Sequence, residues 1–110
     1  RQLMLLIHFY KCLFYVRTSW PHRSRAWKSL LVARAIENQC YVIAVNRIGE
    51  DGNQMNHSGD SMVIDPLGNI LYSQSIEEAI FTMHLNKGTL EEIRSKFPFW
   101  KDGDAFGINL

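Results

Sequence analysis

No aspartate or glutamate occurs in this 110-residue chain before Glu37, whereas Arg1, Lys11, Arg17, Arg23, Arg25, Lys28 and Arg34 all precede it. The imbalance is local. The net charge is only +1, which gives no global electrostatic case for nucleic acid. A basic stripe with interleaved aromatics suits an anionic partner. The alternative is a helix face that is solvated, or paired with acidic residues folding back from later in the chain. Cysteine is also scarce. Cys12 and Cys40 both lie in apolar runs, with no CxxC pair and no disulfide framework, a usage that fits a reduced, intracellular setting. The four histidines, His8, His22, His57 and His84, lack metal-ligand spacing. The apolar run from Leu3 to Val16 is broken by His8 and Lys11. It is too short and too polar to cross a membrane, and no small-residue cleavage site follows it. Repeats, linkers and low-complexity segments are lacking too.

What is present is ordinary globular material. Apolar residues make up 46% and charged residues 21%, and six Phe, four Tyr and three Trp supply core volume. The first residue is Arg1, and Met4 leads straight into Leu5-Leu6-Ile7, which reads as the start of a fragment. Phe9 to Val16 reads as a strand. Thr18-Ser19-Trp20-Pro21 is a turn into a helix reaching about Gln39. The helix presents Trp27, Leu30, Leu31, Ala35 and Asn38 on one face. Cys40 to Val45 is a continuous apolar run, the pattern of a strand covered on both faces.

Beyond Val45 the punctuation is strong. Glu50-Asp51-Gly52-Asn53 and Asp65-Pro66-Leu67-Gly68-Asn69 are turn signals, and the second joins Met62-Val63-Ile64 to Ile70–Ser73 as a hairpin. Alternation from Ala79 to Leu85 predicts one more strand. Thr89-Leu90-Glu91-Glu92 has the capping-box pattern for a short helix to about Lys96, stopped by Phe97-Pro98. Helix, strand, hairpin, strand and short helix make an α/β layering. His57 and Ser61 could suggest a nucleophile pair, but hydroxyl catalysis needs an oriented His and an oxyanion hole, and a turn with a strand start is the simpler reading.

Several segments occur in an order that carries a resemblance. They are Tyr15-Val16 with Ser19-Trp20-Pro21, Ala33-Arg34-Ala35-Ile36-Glu37-Asn38-Gln39, Val45-Asn46-Arg47-Ile48-Gly49, and His57-Ser58-Gly59-Asp60-Ser61. Ile64-Asp65-Pro66-Leu67-Gly68, Lys96-Phe97-Pro98 and Asp102 to Phe106 follow. Together they resemble the nitrilase superfamily of carbon–nitrogen hydrolases over roughly 13–106, most closely its omega-amidase branch. The resemblance implies that 1–110 is a partial hydrolase domain with a C-terminal tail at 97–110. Its fold is then the C-terminal half of a four-layer α-β-β-α sandwich, exposing a sheet face that the other half covers.

The implied activity is hydrolysis of the C–N bond of small amides such as 2-oxoglutaramate, without a cofactor or metal, in a cytoplasmic homodimer. In the family a Cys thiolate attacks the amide carbon, a Lys stabilises the oxyanion, and a Glu serves as general base. The nucleophile's elbow precedes the Trp-Pro pair by more than 20 residues, which puts all three groups upstream of Arg1. Cys12 is too close to Trp20 to take that role, and Cys40 reads as a small core residue. Two substrate-binding positions carry over, Trp20 at a strand end and Asn46 at the next, each with a purely structural alternative. Arg34 and Glu37 form a structural pair at i,i+3. The other functional class is a non-catalytic binding or assembly module that uses the basic N-terminal surface.

The tail concentrates Phe97, Phe99, Trp100 and Phe106 in ten residues, too short for its own core and too aromatic to stay free. It packs either across a subunit interface, as C-terminal extensions in this family commonly do, or back on its own subunit. If it crosses the interface, Trp100→Ala in the full-length protein weakens the dimer by roughly 2 kcal/mol, measured by analytical ultracentrifugation. An unchanged association constant leaves the intramolecular packing.

Overall fold

The computed structural model describes residues 12–17, 24–50, 52–54, 56–102 and 107. Strand β1 (Cys12–Arg17) is followed by helix α1 (Ser24–Asn38), β2 (Tyr41–Asn46), β3 (Ile48–Glu50), β4 (Asn56–Ile64) and β5 (Ile70–Ser75). Helix α2 (Lys87–Lys96) and a 3₁₀ turn (Phe99–Asp102) close the described chain. β1 and β2 run parallel through the α1 crossover, and β4 adds antiparallel to β2. β4 then pairs antiparallel with both β3 and β5. The result is one mixed sheet with a helix on one face.

Register explains where the core sits. Leu13, Val42 and Ile64 align across β1, β2 and β4, as do Tyr15, Ala44 and Met62. These rows face α1, which lays Trp27, Leu31 and Ala35 on them. Each large buried side chain in such a layer contributes about 1.5–3 kcal/mol. Leu30, expected on this face, is 55% exposed. It sits one residue, about 100°, around the helix from Leu31, beyond the contact stripe. Asn38 is buried as expected, and its Nδ2 donates to Arg34 O at 2.9 Å.

α1 ends in a Schellman turn. Cys40 N–H donates to Ala35 O and Gln39 N–H to Ile36 O, both at 3.3 Å, with Gln39 left-handed at φ +47°. A glycine is usual there. Gln39 is held instead by α2. Its Nε2 donates to Phe97 O at 2.6 Å, and its carbonyl accepts from Arg94 Nε at 2.9 Å. Tyr41 Oη adds a bond to Asn86 O at 3.1 Å, so α2 is fixed to the α1–β2 junction.

The hairpin forms as its turn residues dictate. Asp65 Oδ1 accepts from the N–H groups of Leu67 and Asn69, and Gly68 N–H donates to Asp65 O at 3.0 Å. Gly68 has φ +87°, and a Cβ there would come within 2.7 Å of the Ile36 side chain. The turn therefore needs glycine both for its backbone and for its contact with α1.

Two sequence readings change. Helix α2 begins three residues before the expected capping box. Asn86 is its N-cap, and the Asn86 side chain accepts from Gly88 and Thr89 N–H. Residues 78–86 carry no regular structure, so the strand expected at 79–85 does not form here. A strand needs a ladder as well as an alternating sequence, and these residues join none. The opposite face of the sheet is open. Phe14 is 72% and Val45 51% exposed, the bare sheet face expected of a half-sandwich.

A bulge in β4 locks the layers together. Gly59 pairs with Ser75 and Ser61 with Gln74, leaving Asp60 as the extra residue, with φ +58°. The buried Asp60 carboxylate accepts from Ser24 Oγ of α1 and from Ser75 Oγ of β5, each at 2.5 Å. Lys28 Nζ lies 3.6 Å from Oδ1, and Trp27 Nε1 donates to Asp60 O at 2.9 Å. Asp60→Ala strands the donors that the carboxylate accepts from and is expected to lower unfolding free energy by about 2–4 kcal/mol. Urea denaturation measures it, and a loss below about 0.5 kcal/mol contradicts a structural role for the carboxylate.

Candidate functional site

The carboxyl ends of the parallel strands β1 and β2 lie on the same edge of the sheet, the usual place for a site in an α/β fold. Trp20, which follows β1, lies outside the described residues, as do Cys12's neighbours before it. Asn46 closes β2 and is buried. Its N–H donates to Ser61 Oγ at 3.0 Å, and Ser61 Oγ donates in turn to Asn46 O at 3.2 Å. The Asn46 side-chain Oδ1 accepts from Arg47 N–H at 3.0 Å. One hydroxyl thus stands in for a strand partner where the β2–β4 ladder ends at Ala44 and Met62. The Ser61 proton is directed at a carbonyl, which is a positioning arrangement and not that of an activated nucleophile.

Asn46, Arg47 and Ser61 form one end of a groove of about 990 Å³ on the open sheet face. The floor follows a register row, Ile43 of β2, Val63 of β4 and Tyr72 of β5. Residues 77–81 form the opposite wall, where the Phe81 ring stacks on Tyr72 with centroids 3.7 Å apart and planes 4° from parallel. The floor is apolar, and the polar groups gather at the strand ends.

Neither cysteine has the environment of a nucleophile. Cys40 is fully buried, and burial pushes its thiol up to about 11, against the opposing pull of the Arg94 guanidinium and with a smaller upward push from Cys12. Burial also raises Cys12. A reactive thiolate requires the reverse shift. Burial lowers Arg94 in its turn, offset by Cys40.

The basic stripe is partly spent within the chain. Lys28 meets Asp60, and Arg34 pairs with Glu37 at 2.8 Å, i,i+3, both half-exposed. Arg1, Lys11 and Arg23 lie outside the described residues. Among the described residues no group of His, Cys, Asp and Glu could hold a metal ion.

Residues 7–95 match the carbon-nitrogen hydrolase family. The chain belongs to that family. It is 46% identical over 92 residues to omega-amidase YafV of Escherichia coli K12, covering 82% of this chain and 36% of that protein. It is 38% identical over 89 residues to the 2-oxoglutaramate amidase of Bacillus subtilis, covering 80% and 34%. Its structure is similar to that of XC1258 from Xanthomonas campestris, a CN-hydrolase superfamily protein with an arsenic adduct in its active site. The TM-score is 0.86 and the identity 43%, over 91% of this chain and 38% of that one. The chain spans about a third of the length of the curated relatives it matches. The α/β fold is that of the superfamily, with one sheet and its helix layer making a partial hydrolase domain.

Asp60 is the residue that sequence reasoning misses, because it reads there as part of a turn. Its signal is the Gly59-Asp60 pair inside a strand pattern, which marks a bulge. Cys40 offers a test of the burial argument. A thiol raised from about 9 in the unfolded chain to about 11 when folded stays neutral in the fold while the unfolded state ionises. Stability is therefore unaffected below pH 9 and falls as pH rises toward 11. Urea titrations at about pH 8 and about pH 10.5, on either side of the unfolded thiol's value, should show this loss in the native sequence and a smaller one in Cys40→Ala. Equal losses in both would contradict a thiol held neutral by burial.

Proposed function

We propose that this chain forms part of an amidase that hydrolyses the C–N bond of small omega-amides through a thioester. The observation that carries the reading is the family membership, joined to similarity with proteins named omega-amidase and 2-oxoglutaramate amidase. The substrate of the full-length enzyme is then a small dicarboxylic monoamide, and no cofactor takes part. The nucleophilic Cys, the Lys and the general-base Glu belong to sequence outside these residues. The chemistry of Cys12 and Cys40 supports this division, since both thiols are held neutral by burial. Trp20 and Asn46 serve at the substrate side of the site, Asn46 through the strand end that Ser61 holds. The full-length enzyme acts as a cytoplasmic homodimer that uses neither nucleic acid nor membrane. Among the described residues no helix is long and apolar enough to cross a membrane.

The assay is ammonia release. The 110-residue chain alone is expected to release none from 2-oxoglutaramate or glutarate monoamide, whereas a full-length enzyme carrying it should do so. Turnover by the chain alone that is lost in Cys12→Ala would overturn the assignment of the nucleophile. A full-length enzyme inert toward both amides would overturn the substrate class.

A further inference from the structure

Arg47 is the single residue between β2 and β3. Both strands pair with β4, β2 as far as Ala44 and Met62 and β3 from Ile48 and Ser58, so Arg47 is mounted across from the bulge. Its backbone has little freedom. The N–H donates to Asn46 Oδ1 at 3.0 Å, and Asn46 is itself tied through its N–H and its carbonyl to Ser61 Oγ. The side chain, in contrast, is exposed. Its Nη2 donates to Glu50 O at a long 3.4 Å, and no carboxylate pairs with the guanidinium among the described residues. Lys28, Arg34 and Lys87 each have one, in Asp60, Glu37 and Glu91. A cation on a fixed base with most of its planar fork unpaired is arranged to take an anion from outside the chain.

Its place decides which anion. Arg47 lies just past the carboxyl end of β2, at the edge where the parallel pair β1–β2 also ends. A second layer seated on the row Ile43, Val63 and Tyr72 covers the apolar floor and leaves this strand end at its rim. Glu77 and Glu78 line the far wall, so a negative group is favoured at the Arg47 end and disfavoured opposite it. We propose that Arg47 binds the carboxylate at the non-reacting end of the substrate, and so selects monoamides of dicarboxylic acids over uncharged amides. The assignment rests on the amidase reading of the full-length enzyme. Such a monoamide carries its charge at the end remote from the C–N bond that breaks. A guanidinium fork holds a carboxylate through two parallel bonds, and a fixed Asn46–Ser61 base keeps that end of the ligand in one position. The charge is the same before and during the reaction, so the contact acts on binding and its loss falls mainly on KM.

The test compares two amides of equal length in a full-length enzyme carrying this chain. Glutarate monoamide has the remote carboxylate, and pentanamide has a methyl group in its place. Arg47→Gln should raise KM for glutarate monoamide about tenfold or more with a far smaller change in kcat. The KM for pentanamide should not follow it. Arg47→Lys keeps the charge without the fork and should fall between Arg47→Gln and the native enzyme. Calorimetric titration with glutarate reads the same contact without turnover, and its Kd should rise about tenfold or more in Arg47→Gln. An unchanged KM for glutarate monoamide together with an unchanged glutarate Kd overturns the assignment. Equal losses on both amides also overturn it, because Arg47 would then only support the fold of the strand end. A native enzyme inert toward both amides removes the amidase reading instead, and the glutarate titration then decides the role of Arg47 by itself.

Discussion

The Asp60 carboxylate is the constraint from which the arrangement of layers follows. It sits where β4 carries one residue too many, and the left-handed turn at Gly59 and Asp60 sends the side chain to the helix side of the sheet. There it meets Ser24 and Lys28 in the first turns of α1 and Ser75 at the end of β5. A buried carboxylate is costly unless its acceptors are filled, and these donors come from two elements on either side of β4. Its charge also lies beside the N-terminus of α1, which has no acidic residue of its own in the first turn. Gly59 makes the bulge possible, since a Cβ there would meet the Ile48 side chain at 2.6 Å. The same irregularity brings Ser61 to the end of β2, so one defect in a ladder supports both the helix layer and the strand end beside the groove.

The two faces of the sheet follow different rules. On the helix side, rows of Leu, Val, Ile, Met and Tyr meet a single amphipathic helix and close. On the other side, Phe14, Ile43, Val63 and Tyr72 form a row of equal apolar character across β1, β2, β4 and β5. Its Tyr72 end is capped by Phe81. An apolar row of that kind gains by being covered. In a family whose sandwich stacks two sheets, this row is the natural seat of the second layer.

Local chemistry was legible from residues alone, whereas tertiary choices were not. The hairpin at Asp65 to Asn69 needs only an Asx turn and a glycine, and both are written in that short stretch. The α1–β2 pairing was readable because a helical stripe and an apolar run follow each other directly. The start of α2 was not. Asn86 and Thr89 are both fair caps, and the choice of Asn86 coincides with the tether of its carbonyl to Tyr41 from a distant strand. The stretch from Ala79 to Leu85 alternates as a strand should, yet pairing depends on a neighbour that alternation cannot supply. Leu30 failed by one helical step. Of the site, Asn46 could be placed at a strand end, but its tie to Ser61, fifteen residues on, could not.

The position of Gln39 shows how the two ends of the described fold depend on each other. A left-handed residue without glycine's freedom costs of order 1 kcal/mol, and Gln39 is kept there by bonds from Arg94 and to Phe97. Those partners exist only because α2 is docked, and α2 is docked partly through Tyr41, the residue that opens β2. The same guanidinium stands near the Cys40 thiol, which burial nevertheless keeps protonated. The junction is therefore a structural knot at the amino end of β2, with Asn46 and the groove's polar rim at the carboxyl end. The buried thiol and the helix docking are thereby kept at the opposite end of β2 from the polar groups at Asn46 and Ser61, so neither end constrains the other.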